Sequence, residues 1–323
     1  VEEDGSEKNH FVYTMTHPSY IYSCKFYNEK NQYERRVVAT ACFDSKVRLW
    51  LLETEYDSFM HVLKVRDVSV VEKLVSSNEG KYDNFQNLLD HRHPNCLRFD
   101  ESGRLYIGDS LGMVHVWDVE VQFRKLNVSK IRVLQNSEYE GDPLNCISLL
   151  PYDRRRFVLH SRDNCIRNVD YAQQNYVRVI SRYFGSKSSK FPIRSCTSPD
   201  GQYVLAGSED GRPYLWDVAT GEQENTEDLQ LSWIGPITDV AWNNQYHMVA
   251  FAGFGDEYPL LVYCHERDRE VIEDEKIMGH SKQEQGQENL QSSPDDGITR
   301  KGRRDIIPEE PEESFTRSNR KIV

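Results

Sequence analysis

One motif recurs along this chain and fixes most of what it can become. An apolar run leads into a tight polar or glycine-bearing turn, and an alternating run comes next that ends on an aromatic or apolar residue. The copies are VVATACFDSKVRLW (37–50), RLYIGDSLGMVHVWD (104–118), RFVLHSRDNCIRNVD (156–170) and YVLAGSEDGRPYLWD (203–217), with a looser fifth, MVAFAGFGDEYPLLVY (248–263). Alternation is the period of a half-buried strand, and two such runs across a tight turn make an antiparallel hairpin.

Each hairpin has a further strand before it: YIYSCKF (20–26), NCLRF (95–99), LNCISL (144–149), PIRSCT (192–197) and ITDVAW (237–242). Turn chemistry joins the two in Asp100-Glu101-Ser102-Gly103 and Ser198-Pro199-Asp200-Gly201, where Pro presets φ, Asp caps the turn and Gly accepts φ > 0. Outer strands come after, as in MHVLKV (60–65), KIRVL (130–134) and YVRVI (176–180). Four antiparallel strands repeated radially predict an all-β propeller. The terminal slot holds Trp50, Trp117, Val169, Trp216 and Tyr263, spaced by 67, 52, 47 and 47 residues. A WD-type blade runs about 40–45 residues, so the chain reads as five four-stranded blades over 11–265 with an insertion at 66–92. Within the insertion, VSVVEKLVSS fits a short helix or a surface loop equally. FVYTM (11–15) reads as an outer strand without a blade of its own. With Val rather than Met at position 1, it leads us to expect a piece of a longer ring. The end faces would then stand open, with Val37, Val47, Leu49, Val249, Phe251 and Leu261 on them.

The hydrophobic share, 38%, is low against a usual figure of about 45–50%, and 266–323 explains it. That stretch is polar, charged and short of aromatics, so it is expected to be a disordered tail, as are residues 1–10. The net charge of −12 removes the diffuse attraction that non-specific nucleic-acid binding needs. Seven scattered Cys, without a paired Cys-x-x-Cys, read as reduced thiols. Cys24, Cys96, Cys146 and Cys196 fall at similar places in the repeat. No apolar run approaches the ~20 residues that cross a bilayer.

Candidate residues sort into two groups. His17, Thr40, Asp44 and Trp50 stand where WD repeats place a His–Thr–Asp–Trp hydrogen-bond chain. We read them as a structural tetrad and not as a catalytic pair, because a buried polar chain rigidifies a blade once each member is satisfied. Leu111 occupies the Asp slot of the second copy. Candidate partner-binding residues are Tyr20, Phe43 and Glu209, with the cluster Arg154, Arg155 and Arg156, which reads as a solvated hairpin tip or as a patch for an acidic partner. Nucleophile elbows, zinc-protease helices and phosphate loops have no counterpart here. We therefore expect no enzyme, cofactor or metal.

His17-Pro18-Ser19 with its adjoining aromatic, the 37–50 and 104–118 hairpins, LAGSEDGRPYLWDVATGEQ and the divergent last copy from Ala250-Phe251 to Pro259-Leu260-Leu261 together resemble the jouberins. These are WD-repeat scaffold proteins of the ciliary base. The resemblance covers roughly 11–265. It implies seven blades, of which this chain begins near the third, and a role at the transition zone and basal body in cilium assembly and ciliary signalling. It further implies transition-zone proteins, a trafficking GTPase or β-catenin as partners. The competing reading is another WD-repeat adaptor, such as a ubiquitin-ligase substrate receptor or a vesicle-trafficking subunit.

Overall fold

The structure, a computed structural model, describes residues 15–28, 36–57, 60–71, 92–122, 125–171, 177–226, 229, 235–255, 258 and 260–264. Residues 11–14 of the expected orphan strand 11–15, the rest of the insertion (72–91) and both expected disordered ends, 1–10 and 266–323, lie outside them.

Among the described residues nineteen strands form five antiparallel sheets. Blade 1 holds β1 (Ile21–Asn28), β2 (Arg36–Cys42), β3 (Val47–Asp57) and β4 (Met60–Val71). Blade 2 holds β5 (Pro94–Phe99), β6 (Arg104–Asp109), β7 (Val114–Gln122) and β8 (Lys125–Leu134). Blade 3 holds β9 (Leu144–Leu149), β10 (Arg156–Ser161), β11 (Cys165–Asp170) and β12 (Arg178–Tyr183). Blade 4 holds β13 (Ser195–Thr197), β14 (Tyr203–Ala206), β15 (Tyr214–Asp217) and β16 (Gln223–Glu224). Blade 5 holds β17 (Ile237–Trp242), β18 (Met248–Gly253) and β19 (Leu261–Cys264). The chain is an all-β, five-bladed propeller. Blade 5 has three strands among the described residues, not the expected four. The insertion starts later than the sequence implied, because β4 pairs with β3 as far as Val71.

The central hairpins turn alike. Ser45, Gly112, Asn164 and Gly211 occupy the same slot in blades 1 to 4, and all have positive φ, between 63° and 80°. Only Gly, or a short polar residue that bonds locally, takes that conformation cheaply. At Gly112 a Cβ would also lie 2.1 Å from the Tyr139 carbonyl oxygen.

Blades stack through apolar faces. Val37, Ala39, Ala41, Val47, Leu49 and Leu51 bury against Leu97, Phe99, Leu105 and Ile107 of blade 2. At the other end, Ile237, Val240, Val249 and Phe251 bury against Leu205 and Leu215 of blade 4, with Leu261 packed on them. The set expected on the open end faces is thus the set that the neighbouring blades cover. The faces turned away carry the other parity: Ile21 and Phe26 on blade 1 and Val262 on blade 5, each about half exposed.

The inner strands share an irregularity. In β1, β5, β9 and β17 the ladder skips one residue near the strand start, at Tyr22, Asn95, Asn145 and Thr238 respectively. A bulge of this kind bends the strand and re-aims the side chains beyond it. The skips also shift the cysteines. Cys96 pairs with Gly108 and Cys146 with His160, at equivalent ladder steps. Cys24 lies one step further along, opposite Thr40, and Cys196 two steps, opposite Leu205. The four thiols are therefore not in one register. Burial raises the thiols of Cys96, well above the ordinary value, and of Cys196, to about 12, so both stay protonated and unreactive at neutral pH.

Candidate protein-interaction rim

Loops that lead into the inner strands, together with the central hairpin turns, form one rim of the arc. The turns between first and second strands form the opposite rim. The candidate residues divide between them.

On the first rim, Phe43 sits in the β2–β3 turn, and its N–H donates to the Tyr20 carbonyl at 2.9 Å. Tyr20 is 80% exposed and Phe43 44%. Behind them Tyr22, freed from the ladder by the bulge, stacks on His93 of blade 2 at 5.1 Å between centroids, and Phe43 tilts onto the same His93 at 4.9 Å. Three aromatic rings thus sit together on a backbone that two blades hold, with the exposed Tyr20 tied to Phe43 through its carbonyl. Across the channel mouth, Phe191 and the exposed Phe254 pack at 5.0 Å. Arg194 links the two sides. Its Nη1 donates to Asp239 Oδ2 of blade 5 at 2.7 Å, and its Nη2 donates to the Tyr22 carbonyl of blade 1 at 2.9 Å. Sequence reasoning missed Arg194, Tyr22 and His93. The carbonyl that Arg194 takes is free only because of the bulge, which leaves no mark in the alternation.

Glu209 lies on this rim too, but its carboxylate is occupied. It accepts the backbone N–H groups of Lys190 and of Phe191, the latter at 2.9 Å. Glu209 therefore shapes the loop that presents Phe191.

The arginine cluster occupies the opposite rim, in the β9–β10 turn. Each member faces an acid: Arg154 with Glu101 at 3.9 Å, Arg155 with Asp170 at 3.9 Å, and Arg156 with Asp153 at 2.5 Å. Only Arg156 is held closely by its acid; Arg154 and Arg155 stay largely exposed, each at the edge of ion-pair distance.

The tetrad residues come together in part. His17 Nδ1 lies 3.0 Å from the Met15 carbonyl, which can only accept, so that nitrogen carries the proton. Nε2 then accepts from Thr40 Oγ1 at 2.8 Å, and Trp50 Nε1 donates to the same hydroxyl at 3.2 Å. Asp44 is not a member of this chain. Both its oxygens turn to Arg48, with Nη2 at 2.6 Å from Oδ2, and Oδ1 also takes the Lys46 N–H at 3.3 Å. A guanidinium four residues away on the hairpin outcompetes a neutral imidazole for the carboxylate.

The same device recurs in other turns. Asp163 accepts from Cys165 N and pairs with Arg167; Asp210 accepts from Arg212 N and from Tyr214 Oη. In blade 2 Leu111 cannot act so, and Asp109, two residues earlier, replaces it. Its Oδ1 accepts from Leu111 N and Met113 N, both at 2.9 Å, while Oδ2 meets His115 Nε2 at 2.9 Å and Arg92 Nε at 3.5 Å. His115 and Asp109 are fully buried, so this His–Asp pair meets no substrate from solution. Among the described residues no three His, Cys, Asp or Glu side chains are placed to hold a metal ion, and no helix is long and apolar enough to cross a membrane.

A family model described as "WD domain, G-beta repeat" matches residues 9–50 and 178–217. The chain carries WD repeats. Over 272 residues, 82% of its length, this WD-repeat chain is 27% identical to jouberin of Mus musculus, of which it spans 22%. It is 38% identical over 93 residues, 29% of its length, to Protein Atg16l2 of Mus musculus, of which that match spans 14%. It is 25% identical over 185 residues, 54% of its length, to WD repeat-containing protein 82 of Drosophila melanogaster, covering 56% of that protein. A WD-repeat propeller with likeness to jouberin is the level at which these findings agree.

Proposed function

We propose that this chain is a non-catalytic protein-interaction scaffold and that its partner surface is the aromatic rim at the channel mouth. The observation that carries this is the ring cluster of Tyr22, Phe43 and His93, with the exposed Tyr20 bonded to Phe43 through its carbonyl, held on two blades and tied to a third by Arg194. Rigid aromatics bury much area at little entropic cost, which is why they concentrate binding energy at protein interfaces. A stiff ring that presents them has no chemistry of its own to perform. The chain of His17, Thr40 and Trp50, with the separate Asp44–Arg48 pair, serves this reading as blade structure.

The setting we propose is the ciliary base. The support is the likeness to jouberin across most of the chain. Partners would be transition-zone proteins, with a trafficking GTPase or β-catenin suggested by the same likeness. The alternative is another WD-repeat adaptor, a ubiquitin-ligase substrate receptor or a vesicle-trafficking subunit, and the higher local identity to Atg16l2 favours it. Localisation of the tagged full-length protein in ciliated cells separates the two. Concentration at the basal body supports the first and uniform cytosolic signal opposes it. Replacing Phe43 and Tyr20 by Ala should weaken partner capture at least tenfold without lowering the thermal midpoint; unchanged capture would remove the rim from the proposal.

A further inference from the structure

On the rim opposite the aromatic one, the turns between first and second strands differ in one residue. In blade 2 the positive-φ residue of that turn is Gly103, at 89°, and in blade 4 it is Gly201, at 71°. In blade 3 it is Tyr152, at 66°. The Asp153 N–H returns to the Leu150 carbonyl at 3.4 Å, so Pro151 and Tyr152 form the centre of the turn. A turn with Pro first and positive φ second is of type II, and its second place ordinarily goes to Gly or Asn. A bulky side chain is strained there. Tyr152 is also 94% exposed, and among the described residues its ring and hydroxyl have no partner. The turn would be better served by Gly, and the blade makes no use of the ring. Strain kept at an exposed aromatic is a mark of function.

The same rim holds a groove that fits such a ring. It lies between blades 1 and 2 and encloses about 280 Å³. Tyr27 and Phe99 stack at 5.3 Å between centroids to form its wall, and the exposed Phe26 is its lip. Lys25 and Arg98 line it together with two carboxylates, Asp100 and Glu101. The formal charges cancel, so the groove favours an uncharged occupant over an ion. Its volume lies just below the usual range of roughly 300–1,000 Å³ for small-molecule sites, which suits one aromatic side chain. A phenol brings an apolar face for the wall and a hydroxyl for the polar groups, and it leaves no charge unpaired.

We propose that Tyr152 enters this groove on a second copy of the chain, and that the two copies do so reciprocally about a two-fold axis. Knob and groove stand side by side on one rim, joined by the ion pair of Glu101 with Arg154 at 3.9 Å. An axis that runs between them places each knob on the other copy's groove, which makes the interface self-complementary. The relief of the rim agrees. On the groove side β3 continues from Glu53 to Asp57 past the end of β2. There β7 likewise continues from Val119 to Gln122 past the end of β6, by roughly 13 Å at about 3.3 Å per residue. On the knob side β11 and β15 stop level with β10 and β14. The two-fold thus sets the tall half of one copy over the low half of the other. The charges agree too. Arg154 is 89% exposed and only loosely paired, so each Arg154 can exchange its own Glu101 for that of the other copy without unpairing any charge. This contact lies on the rim opposite the aromatic surface, so its test is independent of that surface.

The experiment is sedimentation equilibrium of the whole 323-residue chain over a hundredfold range of concentration. A reversible monomer–dimer equilibrium is expected. Tyr152→Gly should weaken it about tenfold or more, as loss of an anchoring aromatic does. The thermal midpoint of that variant, compared at the lowest concentration, should be unchanged or raised, because Gly suits the turn. Tyr152→Phe should retain most of the association. Phe26→Asp should weaken it as Tyr152→Gly does. An equal mixture of these two weak variants regains one knob in one intact groove, and should associate more strongly than either variant alone. Ile21→Asp, on the open face of blade 1, and Tyr20→Ala, on the other rim, should leave the equilibrium unchanged. The proposal is overturned by a monomer at every concentration, by association that Tyr152→Gly leaves intact or Ile21→Asp abolishes, by a mixture no stronger than its components, or by a lowered midpoint in Tyr152→Gly.

Discussion

Between blades 1 and 2 the buried contact is aliphatic side chains and one phenylalanine, with Ala39 and Ala41 letting the sheets approach closely. Between blades 3 and 4 an apolar patch of Val158, Ile166, Val204 and Trp216 is framed by directional bonds. The Ser195 carbonyl accepts from Ser148 Oγ at 2.9 Å and from Cys146 Sγ at 3.2 Å, Thr197 Oγ1 donates to the Leu149 carbonyl at 3.0 Å, and Ser188 Oγ donates to the Ser161 carbonyl at 3.0 Å. His160 shares the sheet face of Val158, is fully buried, and both its ring nitrogens lack a hydrogen-bond partner. The first seam gains stability from area, which is indifferent to direction and pH. The second depends on bond geometry and on a neutral imidazole, so it is fixed in register but exposed to acid.

The largest effect should come from the apolar seam. Leu49→Ala removes a fully buried side chain at its centre and is expected to cost about 2–5 kcal/mol in urea unfolding. A loss below about 1 kcal/mol would mean that the blades slide to fill the space. The polar seam should respond to pH instead. Burial pushes the His160 imidazole down to about 3 from 6.5, against a smaller upward pull from Asp163. Below pH 6.5 the unfolded chain binds a proton that the folded chain refuses, so stability falls with pH down to about 3 and is flat beyond it. The difference is about 2 kcal/mol at pH 5. A His160→Phe variant should lose that much less between pH 7 and 5; parallel curves would show that His160 is not the sensitive group.

Smaller effects refine the contrast. Asp163→Ala strands Arg167, a nearly buried guanidinium that Asp163 shares with Glu138, and should cost about 1–3 kcal/mol. Ser148→Ala leaves the Ser195 carbonyl with the weaker thiol donor and should cost about 1 kcal/mol. Asp44→Ala in blade 1 breaks an i,i+4 pair whose guanidinium is more accessible than that of Arg167, and it should cost about 1 kcal/mol or less. If Asp44 proves as costly as Asp163, burial of the guanidinium is not what separates the two pairs.

The sequence made the blades legible because their signals are local. Alternation marks the strands, and a turn such as Asp210-Gly211 announces the αL residue that its hairpin needs. Two things were beyond it. In β2 both parities are apolar, Val37, Ala39 and Ala41 on one face and Val38 and Cys42 on the other, so periodicity could not say which face meets blade 2. The skipped residue near the start of an inner strand changes parity without altering composition. That hid the offset of Cys24 and Cys196, and it hid the site too: Tyr22 meets His93, and Arg194 reaches the Tyr22 carbonyl, only after the ladder has slipped. Phe43 and Tyr20 were readable as exposed aromatics. The engagement of Glu209 and Arg154–Arg156 was not, since their partners are distant or ordinary surface acids.

The recurring slip in the inner strands has a consequence for how such a chain tolerates changes in length. A regular strand that loses one residue turns all its side chains over, and the core is exposed. An inner strand with a residue already outside the ladder can lose it and return to regular pairing, while the strands beyond it keep their register. Deletion of Asn95 should therefore disturb the channel wall of blade 2 and spare the packing of β6 against β7. The strand nearest the axis, where crowding is greatest, becomes the one place in the blade that can absorb a change of one residue.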